Sequence, residues 1–578
     1  MNTFCRTCLA VVVTGSVAWR SAAAAEATRV CSVYAESFAA LQQQVSVGMA
    51  AFASPQLATL PMMIKIAVPG AAQMDETQPL ALHVFTTGTG KSGRVLELTP
   101  SSTPESCLQL LVGQGAQVPA PSNGVYRLKK GMAAKIVGKR LRIALKSDDS
   151  AACLGLPESE FPSMPDVPGA VRVSFVPSAL RPMLDQFRQT ASAYPVPGAG
   201  ADAAERGRRT LESVFGFYGT LLGQIDALAL GLEIRESGLF LNSRLTPAAG
   251  TDIASLIASA KPASAKELAF MDAGSLFSFA TGGSTVPSAL KQQLVSLYVD
   301  LTVSAPNFKG VETNELAAVI GHSMRMLGAP MAFTGSLSTN GTALLSQGMI
   351  SVPDPAVYVT DLFALMKMPA YQRMMGQSGM TMSNIATRTY KGMTVYAFKS
   401  AFDEAALVRQ MGGGATNVSS NATQTAALRT VMSLFGNGYE CAAMPSDVAF
   451  GMGSPAMVEH AVDRIRSAPG ASASAQGLQA ALGLSAAPHT LGRFSLSGLF
   501  RLSRPVAPGV PVAVKTPPES EDSCVMFGSW VAGGEAHSVL LVPPSEIKAV
   551  TAQAQALKGG SRATGPVPHP PAEKSKQE

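Results

Sequence analysis

Apolar and polar positions along this chain alternate in short runs, and the runs recur in one arrangement: strand, polar turn, strand, proline, helix. The clearest instance reads ALALGLEI from Ala227, a turn over Arg235–Gly238, LFLNSRL from Leu239, then Thr246-Pro247 and TDIASLIASA. A second joins LALHVFTT and RVLEL through a Gly-Thr-Gly-Lys-Ser-Gly turn, followed by Pro100 and ESCLQLLV. A third joins AFTGSLS and TALLSQGMISV through Thr339-Asn340-Gly341, followed by Pro353 and AVYVTDLFALM. The last joins CVMFGSWVA and AHSVLLV through Gly533-Gly534, followed by Pro543 and SEIKAVTAQAQAL. Asn-Gly and Gly-Gly between β-prone runs predict hairpins. Proline after the second strand ends the ladder and suits the first turn of a helix. Unequal spacing between the copies excludes a fixed-period solenoid.

Helical spacing of apolar positions predicts further helices over Ala203–Leu222, Glu312–Leu327, Gln424–Phe435 and Pro455–Ser467. Segments dense in small and polar residues, Val196–Ala203, Gly412–Thr423 and Ala468–Gly477, read as surface loops. The fold class expected is α+β: degenerate repeats of hairpin plus helix, in mainly antiparallel twisted sheet packed against helices. Pro262-Ala263-Ser264 divides the chain into two similar halves, 26–262 and 263–558. The four prolines and mixed charge of 559–578 read as a disordered tail.

The N-terminus changes the picture by supplying an address. Arg6, an apolar run from Thr7 to Trp19 and small residues from Ser21 to Ala25 have the order of a secretory signal. The expected mature protein is therefore periplasmic or extracellular. It keeps Cys31, Cys107, Cys153, Cys441 and Cys524, with no Cys-x-x-Cys pair among them, so neither a zinc ribbon nor a thioredoxin motif is present. An odd number in an oxidising compartment leaves at least one thiol free or paired between chains. With 47% hydrophobic and only 15% charged residues, against about 25% charged in typical domains, the surface is unusually neutral. No later run is long and apolar enough to span a bilayer.

Catalytic look-alikes fail on their chemistry. The Thr87–Ser92 turn lacks the earlier glycine of a phosphate loop, and a strand follows it rather than a helix. Gly321-His322-Ser323-Met324-Arg325 resembles the nucleophile elbow of α/β-hydrolases, but Arg325 stands where the strained turn needs a small residue, and Ser323 falls within a helical pattern. Ser288-Ala-Leu-Lys291 has no supporting Lys-Thr-Gly or Ser-Asp-Asn elements. The six histidines are scattered, with no zinc-helix spacing.

Two features bear on ligands. Met366, Met368, Met374, Met375, Met380 and Met382 cluster. Such residues serve as apolar packing, as an adaptable binding surface, or, with Met366, Met368, Met380 and Met382 as thioether ligands, as a Cu(I) site. Between Val125 and Ser147, Arg127, Lys129, Lys130, Lys135, Lys139, Arg140, Arg142 and Lys146 occur with no acid. Alternation in KRLRIALK puts Arg140 and Arg142 on one strand face. That face, with Lys139 and Lys146, would contact anionic headgroups or an acidic partner, or would mark a solvated edge strand guarded by charge. Aromatic interleaving is nearly missing, which argues against nucleic acid. The resulting expectation is an exported, non-enzymatic protein that binds a lipid, an apolar peptide or an envelope protein, with no cofactor. The alternatives are a serine-type hydrolase around Ser323 and an envelope assembly or scaffold protein.

Overall fold

A computed structural model describes residues 27–551 apart from 53–61, 64, 66–69, 87–91, 114–115, 129–130, 146–147, 182–183, 186–188, 190–200, 305–311, 339–343, 378–379, 404–437, 468–469 and 499–523. The leader Met1–Ala25, the tail 559–578, the 424–435 segment, and Lys129, Lys130 and Lys146 lie outside the described residues.

In chain order the first part runs β1 (Thr28–Ala35), α1 (Phe38–Phe52), β2 (Leu80–Thr86), β3 (Ser92–Leu98), α2 (Pro104–Val112), β4 (Val125–Arg127), β5 (Ala133–Val137), β6 (Arg140–Ala144), α3 (Asp148–Cys153) and β7 (Val171–Phe175). It continues through α4 (Ala201–Leu222), β8 (Ile225–Arg235), β9 (Gly238–Pro247), α5 (Asp252–Ser259) and α6 (Ala265–Leu268). The second part opens with β10 (Phe277–Thr281), α7 (Ser288–Ser304), α8 (Thr313–Ser323), β11 (Met331–Leu337), β12 (Leu344–Ser351), α9 (Pro355–Lys367) and α10 (Pro369–Gln377). Then follow β13 (Met380–Tyr390), β14 (Met393–Phe402), β15 (Tyr439–Ala443), β16 (Asp447–Met452), α11 (Pro455–Ser467), α12 (Ala473–Leu482), β17 (Thr490–Phe494), β18 (Val525–Ala532) and β19 (Glu535–Val542). A helix over residues 544–551 ends the described chain.

All 19 strands among the described residues join one open, antiparallel sheet. Its centre is the pairing of β9 with β19. Outward from β9 the order is β8, β7, β1, β2, β3, β6, β5, β4. Outward from β19 it is β18, β17, β10, β11, β12, β16, β15, β14, β13. Each of the four segments read as hairpin plus helix is an antiparallel hairpin followed by a helix. The two-residue β18–β19 turn shows why its residues are needed: Gly533 and Gly534 have φ of 60° and 80°, a pair of left-handed conformations that matches the twist of β18 and β19. Side-chain caps fix three of the helix starts, with Thr103, Thr251 and Asp354 each accepting from a backbone N–H of the first turn.

Two expectations are corrected. β6 is not an edge strand, because it lies between β3 and β5. Ala468–Gly477 is not all loop: Ser472 caps α12 at Ala475 N, and the alanines continue as helix.

Cross-strand partners share a side of the sheet, so the registers define two faces. On the front, α1 and α2 cover one wing, packing on Leu96, Leu98, Leu141 and Ile143. On the other wing α9 covers Ile350, Phe398, Cys441, Val448 and Phe450. On the back, α3 covers Phe85, Val95, Ala133 and Ala144, while α11 and α12 cover Ala280, Ala332, Met349, Ala449 and Leu491.

Candidate functional site

Between the two helix-covered wings of the front face lies a strip of apolar side chains that the fold leaves partly open. The registers place Leu232 (β8), Leu241 (β9), Leu540 (β19), Phe527 (β18), Gly492 (β17), Phe279 (β10) and Phe333 (β11) side by side. Leu232 and Leu241 are 38% and 37% exposed, and Leu540, Phe527, Phe279 and Phe333 are half-buried. Seven strands spaced about 4.8 Å apart make this strip about 29 Å wide. Glycine keeps its relief low. A Cβ on Gly492 would stand 2.2 Å from the Phe527 ring, and one on Gly348 would stand 2.3 Å from the Phe333 ring. The aromatic rings therefore lie over neighbouring strands instead of projecting from them.

The back of the same strands is closed. Ala229, Gly231, Phe240, Asn242, Val539 and Leu541 are all buried there. The segment from Pro162 to Ala170 runs across this side so closely that a Cβ on Gly231 would meet the Pro168 carbonyl at 1.9 Å. Asn242 Nδ2 donates to that carbonyl at 3.1 Å, and Arg244 Nη1 donates to the Asp166 carbonyl at 3.1 Å. The central strands thus bury apolar surface on one side and leave comparable surface accessible on the other.

One register row away from the leucine–phenylalanine strip the character changes. Ser243, Ser538, Ser529, Thr490 and Thr281 stand on five consecutive strands, β9, β19, β18, β17 and β10. All five are half-buried. The Ser243 and Ser538 hydroxyls are hydrogen-bonded at 2.7 Å, and those of Thr281 and Thr490 at 3.1 Å.

The residues singled out from sequence lie elsewhere. Arg140 and Arg142 do share a face, the back, but Arg142 is fully buried. Its Nε donates to Glu97 Oε2 at 2.5 Å, and its Nη1 and Nη2 donate to Glu158 at 2.9 and 2.6 Å. Its guanidinium lies 3.7 Å from the centroid of the Phe161 ring. Hydrogen bonding from Arg142 holds the Glu158 carboxyl below its usual range. Arg142 is therefore committed inside the fold; Arg140, whose side chain is 45% exposed, is paired with Glu97 and Glu158 as well, and the turn residue Lys139 is exposed. The partners Glu97 and Glu158 lie far along the chain, outside the acid-free window that made the segment look uncompensated. Beside this network His83 is buried, its Nδ1 2.8 Å from Ser32 Oγ. Burial first, then the charge of Arg142, lowers its pKa to about 3.

Ser323 is the last residue of α8, and its Oγ donates to the Val319 carbonyl one turn back, at 3.1 Å. His489 Nδ1 is 2.7 Å from the Lys261 carbonyl, and His537 stacks on Trp530, so neither stands beside Ser323 with a ring nitrogen toward its hydroxyl. Met366 is buried between α9 and the sheet, whereas Met368 packs in a separate cluster with Val319, Leu365 and Ala370. The side chains of Met380 and Met382 lie outside the described residues. Among the described residues no group of three or more His, Cys, Asp or Glu is placed to hold a metal ion, and no helix is long and apolar enough to cross a membrane. The front strip escaped sequence reading because alternation puts Leu228, Leu230, Leu232 and Ile234 of β8 and Leu239, Leu241 and Leu245 of β9 on one face, the pattern expected of a covered side, whereas the structure closes the opposite, less apolar face.

Comparison with known protein families, with curated proteins and with solved structures finds no match to this chain.

Proposed function

We propose that this is an exported, non-enzymatic protein that binds the acyl chain of a lipid along the front of its central strands. The observation that carries the reading is the contrast across β8, β9 and β19: a closed back and a half-open apolar front. Contiguous apolar surface of this kind on a soluble fold marks an interaction site. Half the hydrocarbon thickness of a bilayer, about 15 Å, is the reach of one acyl chain, which the strip accommodates. The leader Met1–Ala25 supports the export part of the reading. We also read the two parts of the chain as similar halves, because strand order outward from β9 matches strand order outward from β19 over eight steps.

The test uses 1,6-diphenylhexatriene, an all-hydrocarbon probe that fluoresces when removed from water. The wild-type chain is expected to bind it saturably. Leu232→Lys with Leu241→Glu is expected to abolish binding with little change in the unfolding midpoint, since both side chains are already more than a third exposed and, as direct cross-strand partners, would carry opposite charges. Probe binding that survives the double substitution would remove the site from this face.

A further inference from the structure

Building on the lipid-binding reading, we infer that the hydroxyl row Ser243–Ser538–Ser529–Thr490–Thr281 selects the headgroup, and that the head it fits is uncharged and hydroxyl-bearing, as in a monoacylglycerol. Four strand spacings of about 4.8 Å make the row about 19 Å long. It lies two residues along the strands from the apolar strip, a separation of about 7 Å. A ligand lying on the strip can therefore keep its chain on leucine and phenylalanine while its head meets the hydroxyls.

The chemistry of the row specifies a neutral head. Its register neighbours on the front are Leu230 and Met331 at its two ends. Leu245, Ala536 and Val531 lie on the side away from the strip. None of these carries a charge that would balance an ionised head, and a charge set down half-buried without a partner is costly. A hydroxyl is both donor and acceptor, with one hydrogen and two lone pairs. Ser529 stands between the two hydrogen-bonded pairs and makes no side-chain hydrogen bond among the described residues. Such a row complements a head that both donates and accepts, as a glycerol does, whereas a carboxylate only accepts.

The experiment uses the full mature chain loaded with 1,6-diphenylhexatriene and measures displacement by monoolein and by oleate, each below its aggregation concentration. Wild type is expected to release the probe at a lower concentration of monoolein than of oleate. Ser529→Ala with Ser538→Ala is expected to weaken monoolein by about tenfold, the worth of two neutral hydrogen bonds, and to leave direct binding of the probe unchanged. Ser529→Thr, which keeps the hydroxyl, is expected to retain the preference for monoolein. Equal or better displacement by oleate, or a preference that survives the double alanine substitution, would overturn the headgroup assignment while leaving the acyl-chain reading in place. Failure of the wild-type protein to bind the probe at all would overturn both.

Discussion

Acid should destabilise this protein through one imidazole. His83 is 1% exposed, edge-on to the rings of Tyr34 and Phe161, and close enough to Arg142 for that charge to oppose its protonation. Its pKa in the fold is lowered from 6.5 to about 3. The unfolded chain therefore binds a proton between those values that the folded chain refuses. The sign follows: the contribution is fully present above pH 6.5 and is lost as pH falls toward 3. At 1.36 kcal/mol for each pH unit, the loss amounts to about 2 kcal/mol at pH 5 and about 3 kcal/mol at pH 4. Urea unfolding of wild type and His83→Gln at pH 7, 6, 5 and 4 isolates this contribution, because other titrating groups are common to both proteins. The variant is expected to be less stable at pH 7, where it loses packing and the Ser32 contact, and to converge on wild type as pH falls. Parallel stability curves from pH 7 to pH 4 would refute the reasoning, since they would mean that His83 protonates as readily in the fold as outside it.

Other expectations follow from equally local causes. Arg142→Met leaves the Glu97 carboxylate, 10% exposed, with Arg140 as its remaining partner among the described residues; it should cost about 3–5 kcal/mol in urea unfolding, and adding Glu97→Gln should recover part of that. Gly231→Ala drives a methyl into the Pro168 carbonyl and should cost about 3 kcal/mol, whereas alanine at Gly207, which has open space around its Cβ position, should be tolerated. Thiol titration with a disulfide reagent at pH 8 should find Cys107, Cys153, Cys441 and Cys524 protected by burial and Cys31 slow, its pKa raised to about 11 by burial. All five should react in denaturant. A missing thiol there would identify a disulfide formed in the native compartment.

What could be read from sequence was whatever is decided within about thirty residues. The β18–β19 hairpin announces itself through Gly533-Gly534, and α9 through Asp354 followed by proline and an apolar run. Pairings that join distant segments have no such local signature. β1 pairs with β7, and β9 with β19, through hydrogen bonds that any strand can make, so their choice depends on which apolar faces are left to be covered. Arg142 illustrates the same limit. Alternation correctly puts it beside Arg140, but its burial depends on Glu97, reached by pairing with β3, and on Glu158, brought by a loop. The small residues of Ala468–Gly477 suit both loops and helices; the Ser472 cap and buried Ala475 and Leu478 decide for helix.

The junction of β9 with β19 also sets an order of events. β19 ends at Val542, so it is the last of the described strands to be synthesised, while β9 is complete almost three hundred residues earlier. From Leu239 to Leu245 the growing chain presents a row of backbone donors and acceptors whose native partners do not yet exist. Arg244, which lies beside Glu535 once the sheet is complete, has no acid there until that late segment arrives. A long-lived open edge in the nascent chain is a route to pairing with another copy. Truncation before β19 should therefore yield aggregating or strand-exchanged species, and not merely a shorter protein.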